Sequence, residues 1–249
     1  MGVQLIRTLL IGSLAMSLAM SVGCAELSNL DLSSVFSIGR PLDQRTVADG
    51  LRQALQIGTQ RTTESLAAPG GFARNSRWRI SLPSEMKNLA TGLRKIGLGA
   101  RVDAFEDSMN HAAEKATAQA APIFASAIFS MSIADAFAIL NGPDDAATTY
   151  FRDRTSDQLN VAFSPIIGSA MEEVGLMRAY RDIVAQFDEI PFSILPSVDL
   201  EAYLSEQTQA ALFSELALEE ARIREDPAAR STALLRRVFG SIPTDRPST

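Results

Sequence analysis

The sequence predicts an all-α fold: a single multi-helix domain of about eight to ten helices, with one short extended ribbon near residues 77–82. Three observations carry this. From Asp43 onward, apolar residues recur every three or four positions, the spacing of one helix face. Helix-starting residues (Asp43, Ser132, Asp199, Asp226) and helix-ending ones (Gly70, Gly97, Gly142) punctuate the chain at helix-length intervals. Only Trp78, Ile80 and Leu82, set between Arg77, Arg79 and Ser81, alternate as a half-buried strand would, so a sheet has no second strand.

In chain order, the first element is an address. Residues 1–24 read MGVQLIRTLLIGSLAMSLAMSVGC: a cation at Arg7, an uncharged run from Thr8 to Ala25, and small residues leading to Cys24. This is the layout of an export signal. The run sits at the lower length limit for a membrane-spanning helix, so a retained anchor is the competing reading. Cys24 is the only cysteine in the chain. It excludes an intramolecular disulfide, and in an oxidising compartment it would be a free thiol unless modified. Ser21-Val22-Gly23-Cys24 resembles a bacterial lipobox, whose cysteine is acylated and becomes the mature N-terminus. Val22 and Gly23 fit that pattern, whereas Ser21 stands where Leu is usual; cleavage after Ala25 is the alternative. Lipobox proteins carry three acyl chains, and more than one buried chain makes anchoring stable. By the same resemblance, Ala25, rather than Asp, after the cysteine points to the outer membrane, facing the periplasm. Residues 25–42, rich in Ser and Leu, read as a tether.

The helical domain is expected over residues 43–240. Asp43 opens a helix through Val47, Leu51, Leu55 and Leu66, which Pro69-Gly70-Gly71 stops. After the ribbon, Ser84 caps a helix ending at Gly97. A long helix from Gly99 carries Val102, Phe105, Met109, Ala112, Ala113, Ala116 and Ala120 on one side. Pro122 suits a first helical position. Ser132-x-x-Asp135 approximates a capping box for a short helix that Asn141-Gly142 ends. Asp144 and Asp145 favour the positive end of the next helix dipole. Ser156-Asp157 reads as a further start, and Pro165 is expected to kink or divide that helix. Helices are expected over 177–187, from Asp199 to about Glu225, and after Asp226-Pro227 to Gly240. Residues 241–249 read as a disordered tail.

Composition narrows the function classes. Apolar residues make up 46% and charged residues 21%, which excludes a disordered chain. Charge is segregated: residues 40–101 hold eleven Lys or Arg against four acids, and residues 102–226 hold 22 acids against seven bases. A basic face near the anchor would suit anionic headgroups; side-by-side packing of basic and acidic helices explains the same counts. The overall net charge of −6, without a recognition motif, argues against nucleic acid as a partner.

Catalytic signatures are missing. No nucleophile elbow, phosphate loop, dinucleotide fingerprint or His-Glu-x-x-His motif occurs. The only histidine, His111, lies opposite the apolar side of its helix, so it is expected to face solvent, and a metal held by several His or Cys side chains is excluded by count. Carboxylates remain. Asp103, Asp107, Asn110 and Glu114 recur on one helical stripe. Beside an apolar face they would line a cleft for acid–base work, or simply form a wet helix surface. Asn141, Asp144 and Asp145 cluster at a helix junction, where capping explains them without a metal. Tyr150-Phe151 is expected to anchor its helix in the core. The candidate pocket is therefore Asn110, Glu114, Asp144, Asp145 and Tyr150, with neither metal nor cofactor.

The chain also resembles a known family. The matching pieces include Pro69-Gly70-Gly71-Phe72, Ile80-Ser81-Leu82-Pro83, Leu93-Arg94-Lys95-Ile96-Gly97-Leu98-Gly99, Asn110-His111-Ala112-Ala113-Glu114-Lys115-Ala116 and Leu140-Asn141-Gly142-Pro143-Asp144-Asp145 through Tyr150-Phe151. Their order and spacing are similar to those of the bacterial DUF4197 family across residues 43–240. The resemblance implies an envelope protein, often with a lipoprotein signal, and implies no activity. The expected function is an exported, lipid-anchored envelope protein of unknown activity that binds a partner protein or a lipid-like ligand. The alternative is a carboxylate-dependent hydrolase acting on an envelope polymer.

Overall fold

The computed structural model describes residues 43–173 and 198–226, together with Thr232, Arg236 and Val238. The chain divides after Leu42, and the described residues belong to the unit that begins at Asp43. The expected signal with Cys24, the tether, the helix over 177–187, most of 227–240 and the tail lie outside the described residues.

Seven α-helices occur among the described residues: α1 Gln44–Ala67, α2 Lys87–Lys95, α3 Gly99–Thr117, α4 Ala120–Ser130, α5 Ile133–Asn141, α6 Ala146–Glu173 and α7 Leu200–Glu225. The all-α class stands. The expected count of eight to ten is not reached among these residues, and one reason is local. Ser156 starts no new helix: α6 runs through it, because Thr155 Oγ1 and Ser156 Oγ donate back to the carbonyls of Phe151 and Arg152. A hydroxyl so engaged sits inside a helix rather than capping one. Pro165 lies within α6 and does not divide it.

Several ends follow the sequence directly. Asp43 Oδ1 accepts from Thr46 N (2.9 Å) and opens α1. Ser132 and Asp135 form a full capping box on α5, with Asp135 N donating to Ser132 Oγ (3.0 Å) and Ser132 N to Asp135 Oδ2 (2.9 Å). Asp199 Oδ1 accepts from Ala202 N (2.9 Å) and opens α7. Gly97 takes φ +85°, and Leu98 N reaches back to Leu93 O (2.9 Å), a left-handed helix stop that favours glycine. Pro122 stands third in α4 rather than first, still within the turn whose amides need no intrahelical carbonyl.

The ribbon at 77–82 is corrected. Residues 76–78 form a turn, residues 79–83 have no regular structure, and no strand occurs among the described residues. The alternation is real in its burial, since Ile80 and Leu82 are buried and Ser81 is exposed. What is missing is a partner strand; side chains take its place.

The core lies between α1, α3, α4, α6 and α7. Phe124 of α4 packs edge-on to Phe151 of α6 with centroids 5.1 Å apart, and lies 6.3 Å from Phe213 of α7. Phe72, Phe124, Phe151, Phe163 and Leu159 are fully buried, each worth roughly 1.5–3 kcal/mol of transfer free energy. Arg52 of α1 donates to Met131 O just past α4 (2.6 Å), while Glu114 of α3 meets the loop that leaves the far end of α1. Thus α1 runs antiparallel to α4 and ends beside the last turn of α3.

Candidate functional site

The polar stripe of α3 divides into two halves with different roles. Asp103 and Asp107 are exposed and pair with Arg94 (2.6 Å) and Arg79 (2.8 Å). Asn110 and Glu114 are buried, because the loop 68–83 folds over them. Asn110 Oδ1 accepts from Ile80 N (2.8 Å), and its Nδ2 donates to Ile80 O (2.9 Å) and Glu106 O (2.7 Å). One turn further, Glu114 Oε1 accepts from the amides of Gly70 (3.0 Å), Phe72 (3.1 Å) and Ala73 (3.0 Å). Three amides converging on one oxygen make a small anion-holding nest, and the anion is part of the protein. His111, between them in sequence, is exposed.

The loop's own sequence permits this. Gly70 has φ +92°, a conformation other residues rarely adopt. At Gly71 a Cβ would lie 2.3 Å from Leu66 O, so the chain can fold back on the end of α1 only with glycine there. From its other side α7 holds the same loop: Trp78 Nε1 donates to Glu215 Oε2 (2.7 Å) and Tyr203 Oη donates to Ser81 O (3.0 Å).

A second buried carboxylate organises the start of α6. Glu220 of α7 accepts from Ala147 N (3.0 Å), Thr148 N (2.9 Å) and Thr148 Oγ1 (2.8 Å), and pairs with Arg224 (2.8 Å). A carboxylate from another helix thus caps α6, with its charge at the positive end of the dipole. Asp144 and Asp145 precede this cap and are exposed. Its neighbour Glu219, also buried, meets Arg61 and Arg222, each at 2.8 Å.

Tyr150 is elsewhere. It lines an open cleft of about 270 Å³ with Asp135, Ala138, Ile139, Pro143, Ala146, Thr149 and Asp153. Arg154 lies over its ring at 5.5 Å, and its hydroxyl makes a long contact (3.4 Å) with Ala127 O. Burial, then the negative charge of Asp135, raises the phenol above its ordinary value near 10.0. Asp135 is held below its ordinary value, first by the Ser132 amide and then by the Ser132 hydroxyl. The structure therefore brings Asn110 and Glu114 together beneath the loop, sets Asp144 and Asp145 at the entry to α6, and gives Tyr150 a cleft that neither Asn110 nor Glu114 lines.

Sequence reasoning missed Glu219 and Glu220. They sit on a long helix with little amphipathic signal; the nearby Arg222 and Arg224 suggest only a surface ion pair, while the amide and cation that give them their roles, Ala147 and Arg61, are 73 and 158 positions away. Among the described residues, no group of three or more His, Cys, Asp or Glu side chains is placed to hold a metal ion. No single described helix is long and apolar enough to cross a membrane.

Against known proteins, the model of a family described as "Protein of unknown function (DUF4197)" matches residues 41–240. No curated protein and no solved structure matches the chain.

Proposed function

Because the chain belongs to the DUF4197 family, whose description assigns no activity, we propose a function from this chain's own residues: an exported envelope protein, lipid-anchored through Cys24, that binds a partner protein or a lipid-like ligand. The observation that carries the binding half is the state of the buried carboxylates. Glu114, Glu219 and Glu220 are each engaged by backbone amides or arginines, so they are parts of the scaffold. The hydrolase alternative draws nothing from this geometry: of its two candidate carboxylates, Glu114 already accepts three hydrogen bonds at one oxygen, and Asp145 is exposed at the entry to α6.

The surface that suits binding is the cleft beside Tyr150. It is apolar along Ala138, Ile139, Pro143 and Ala146, and polar along Asp135, Thr149, Tyr150 and Asp153. That mixture, with a half-buried tyrosine at its edge, fits an extended peptide or an amphipathic lipid better than a small polar substrate. The anchoring half rests on Ser21-Val22-Gly23-Cys24 and the uncharged run before it.

Two measurements test the proposal. Intact-mass analysis of the protein from bacterial envelopes should show loss of residues 1–23 and added acyl mass at Cys24; an unmodified thiol overturns the anchor. A photo-crosslinking residue at position 149, exposed in the cleft, should capture an envelope component that the same group at exposed Thr91 does not. Equal capture at both positions, or none at 149, overturns the cleft as the binding surface.

A further inference from the structure

The last turns of α4 present an apolar surface that nothing in the described fold covers. Phe129 is 91% exposed. Ala121, Pro122 and Ala125, one and two turns earlier, are exposed on the same stripe. No charged residue occurs from Ala116 to Ala134. Scattered surface apolar residues are ordinary; a charge-free helical stripe tipped by an almost fully exposed phenylalanine is a patch.

Its position in the fold matters. Phe129 stands two residues before Met131, whose carbonyl accepts from Arg52 (2.6 Å). Arg52 lies nine residues after Asp43, the first residue of the domain, a rise of about 13 Å along α1. The patch is thus at the end of the domain where the chain from Cys24 enters. That connection spans at most about 65 Å when fully extended.

We propose that the Phe129 end of α4 is a lipid-contacting surface: it seats this domain on the bilayer that holds the acylated Cys24. The inference rests on the anchor reading of the preceding subsection. A second copy of the chain fits the patch less well. An 11-residue helix is about 16 Å long and 10–12 Å wide, far short of the roughly 800 Å² per partner that a stable interface buries. A bilayer sets no such minimum. One phenylalanine contributes too little to recruit a free protein, but behind an anchor its insertion is an intramolecular step and fixes orientation at small cost.

The test uses the full chain, purified from envelopes and reconstituted into phosphatidylethanolamine–phosphatidylglycerol vesicles containing nitroxide lipid. A Ser126→Cys variant, exposed on the Phe129 face, carries a thiol-reactive NBD dye; Thr91→Cys on α2 is the control. Quenching at 126 is expected to exceed that at 91 several-fold, and Phe129→Ser in the same background should reduce it to the control level without altering the thermal melt. Equal quenching at 126 and 91, or no response to Phe129→Ser, overturns the surface. So does a blue shift at 126 that grows with protein concentration in the absence of lipid, the mark of self-association. Dye stoichiometry read with intact mass separates the premises: one dye per chain on a protein that begins at an acylated Cys24 upholds the anchor, whereas two dyes per chain, or one dye on a chain that begins after Ala25, refute the anchor itself.

Discussion

Asn110 holds Ile80 by both backbone groups, its carbonyl oxygen 2.8 Å from the Ile80 amide and its amide nitrogen 2.9 Å from the Ile80 carbonyl. One side chain offers the donor and acceptor that a neighbouring strand residue would supply. An extended segment is thereby satisfied in an all-helical protein, and the consequence is measurable.

Asn110→Leu keeps similar volume and removes both bonds. Each buried backbone group left without a partner costs about 1–3 kcal/mol, so urea denaturation should show a loss of roughly 3 kcal/mol.

Glu114 allows a graded version. Glu114→Gln retains an accepting oxygen but loses the charge and should cost about 1–2 kcal/mol, whereas Glu114→Ala frees three amides and should cost about 3 kcal/mol or more. Hydrogen exchange at Gly70, Phe72 and Ala73 should accelerate in the alanine variant while the amides in the middle of α6 stay protected.

Glu220→Ala removes the cap of α6 and leaves Arg224 without its carboxylate. The combined cost is expected at about 3–5 kcal/mol. Glu220→Gln, which can still accept from one amide, should fall between this variant and the parent in thermal melts.

Thr62 gives a change of opposite sign. It is 2% exposed, and its hydroxyl has no hydrogen-bond partner among the described residues. Thr62→Val keeps the shape and removes a desolvated hydroxyl, so the midpoint of denaturation should rise, by about 1 kcal/mol in stability.

Acid should loosen the caps of α1 and α5. Asp43 is held below its usual carboxylate value chiefly by the Thr46 amide, and Asp135 by the Ser132 amide. A folded-state pKa below the unfolded one gives stability that is present above the unfolded value, near 3.8, and lost as pH falls through the lower folded value. Asp43 is exposed and Asp135 only half-buried at the mouth of an open cleft, so the effect is small. Asp135→Asn should flatten the decline of stability below pH 3.8 and lower neutral-pH stability by the same small amount.

The parts of the fold legible in the sequence are those decided within one turn of helix. Asp43, Ser132 with Asp135, Asp199 and Gly97 act on amides or carbonyls three to five residues away, and each sits where its chemistry indicated. The apolar stripe that runs from Val102 in α3 to Ala120 at the start of α4 is buried as its spacing required. The site was less legible because its contacts are distant. Asp103 and Asn110 occupy the same stripe, and only the return of residues 68–83, itself set by Gly70 and Gly71, leaves one wet and buries the other. The alternation around Ile80 reported burial correctly, but burial alternates in any extended segment; it does not reveal whether the partner is a strand or an asparagine.

The loop over α3 also bears on the order of folding. Its amides at Gly70, Phe72 and Ala73 are satisfied by a residue more than 40 positions later, and its outer side by residues of α7 more than 120 positions later. Such a segment gains nothing by closing before its helices exist, since closing a long loop is an entropic loss until the distant contacts form. It is therefore expected to dock late on the way in and detach early on the way out, so substitutions at Asn110 or Glu114 should act on the unfolding limb of a chevron plot, hastening escape from the native state and leaving the refolding rate almost untouched.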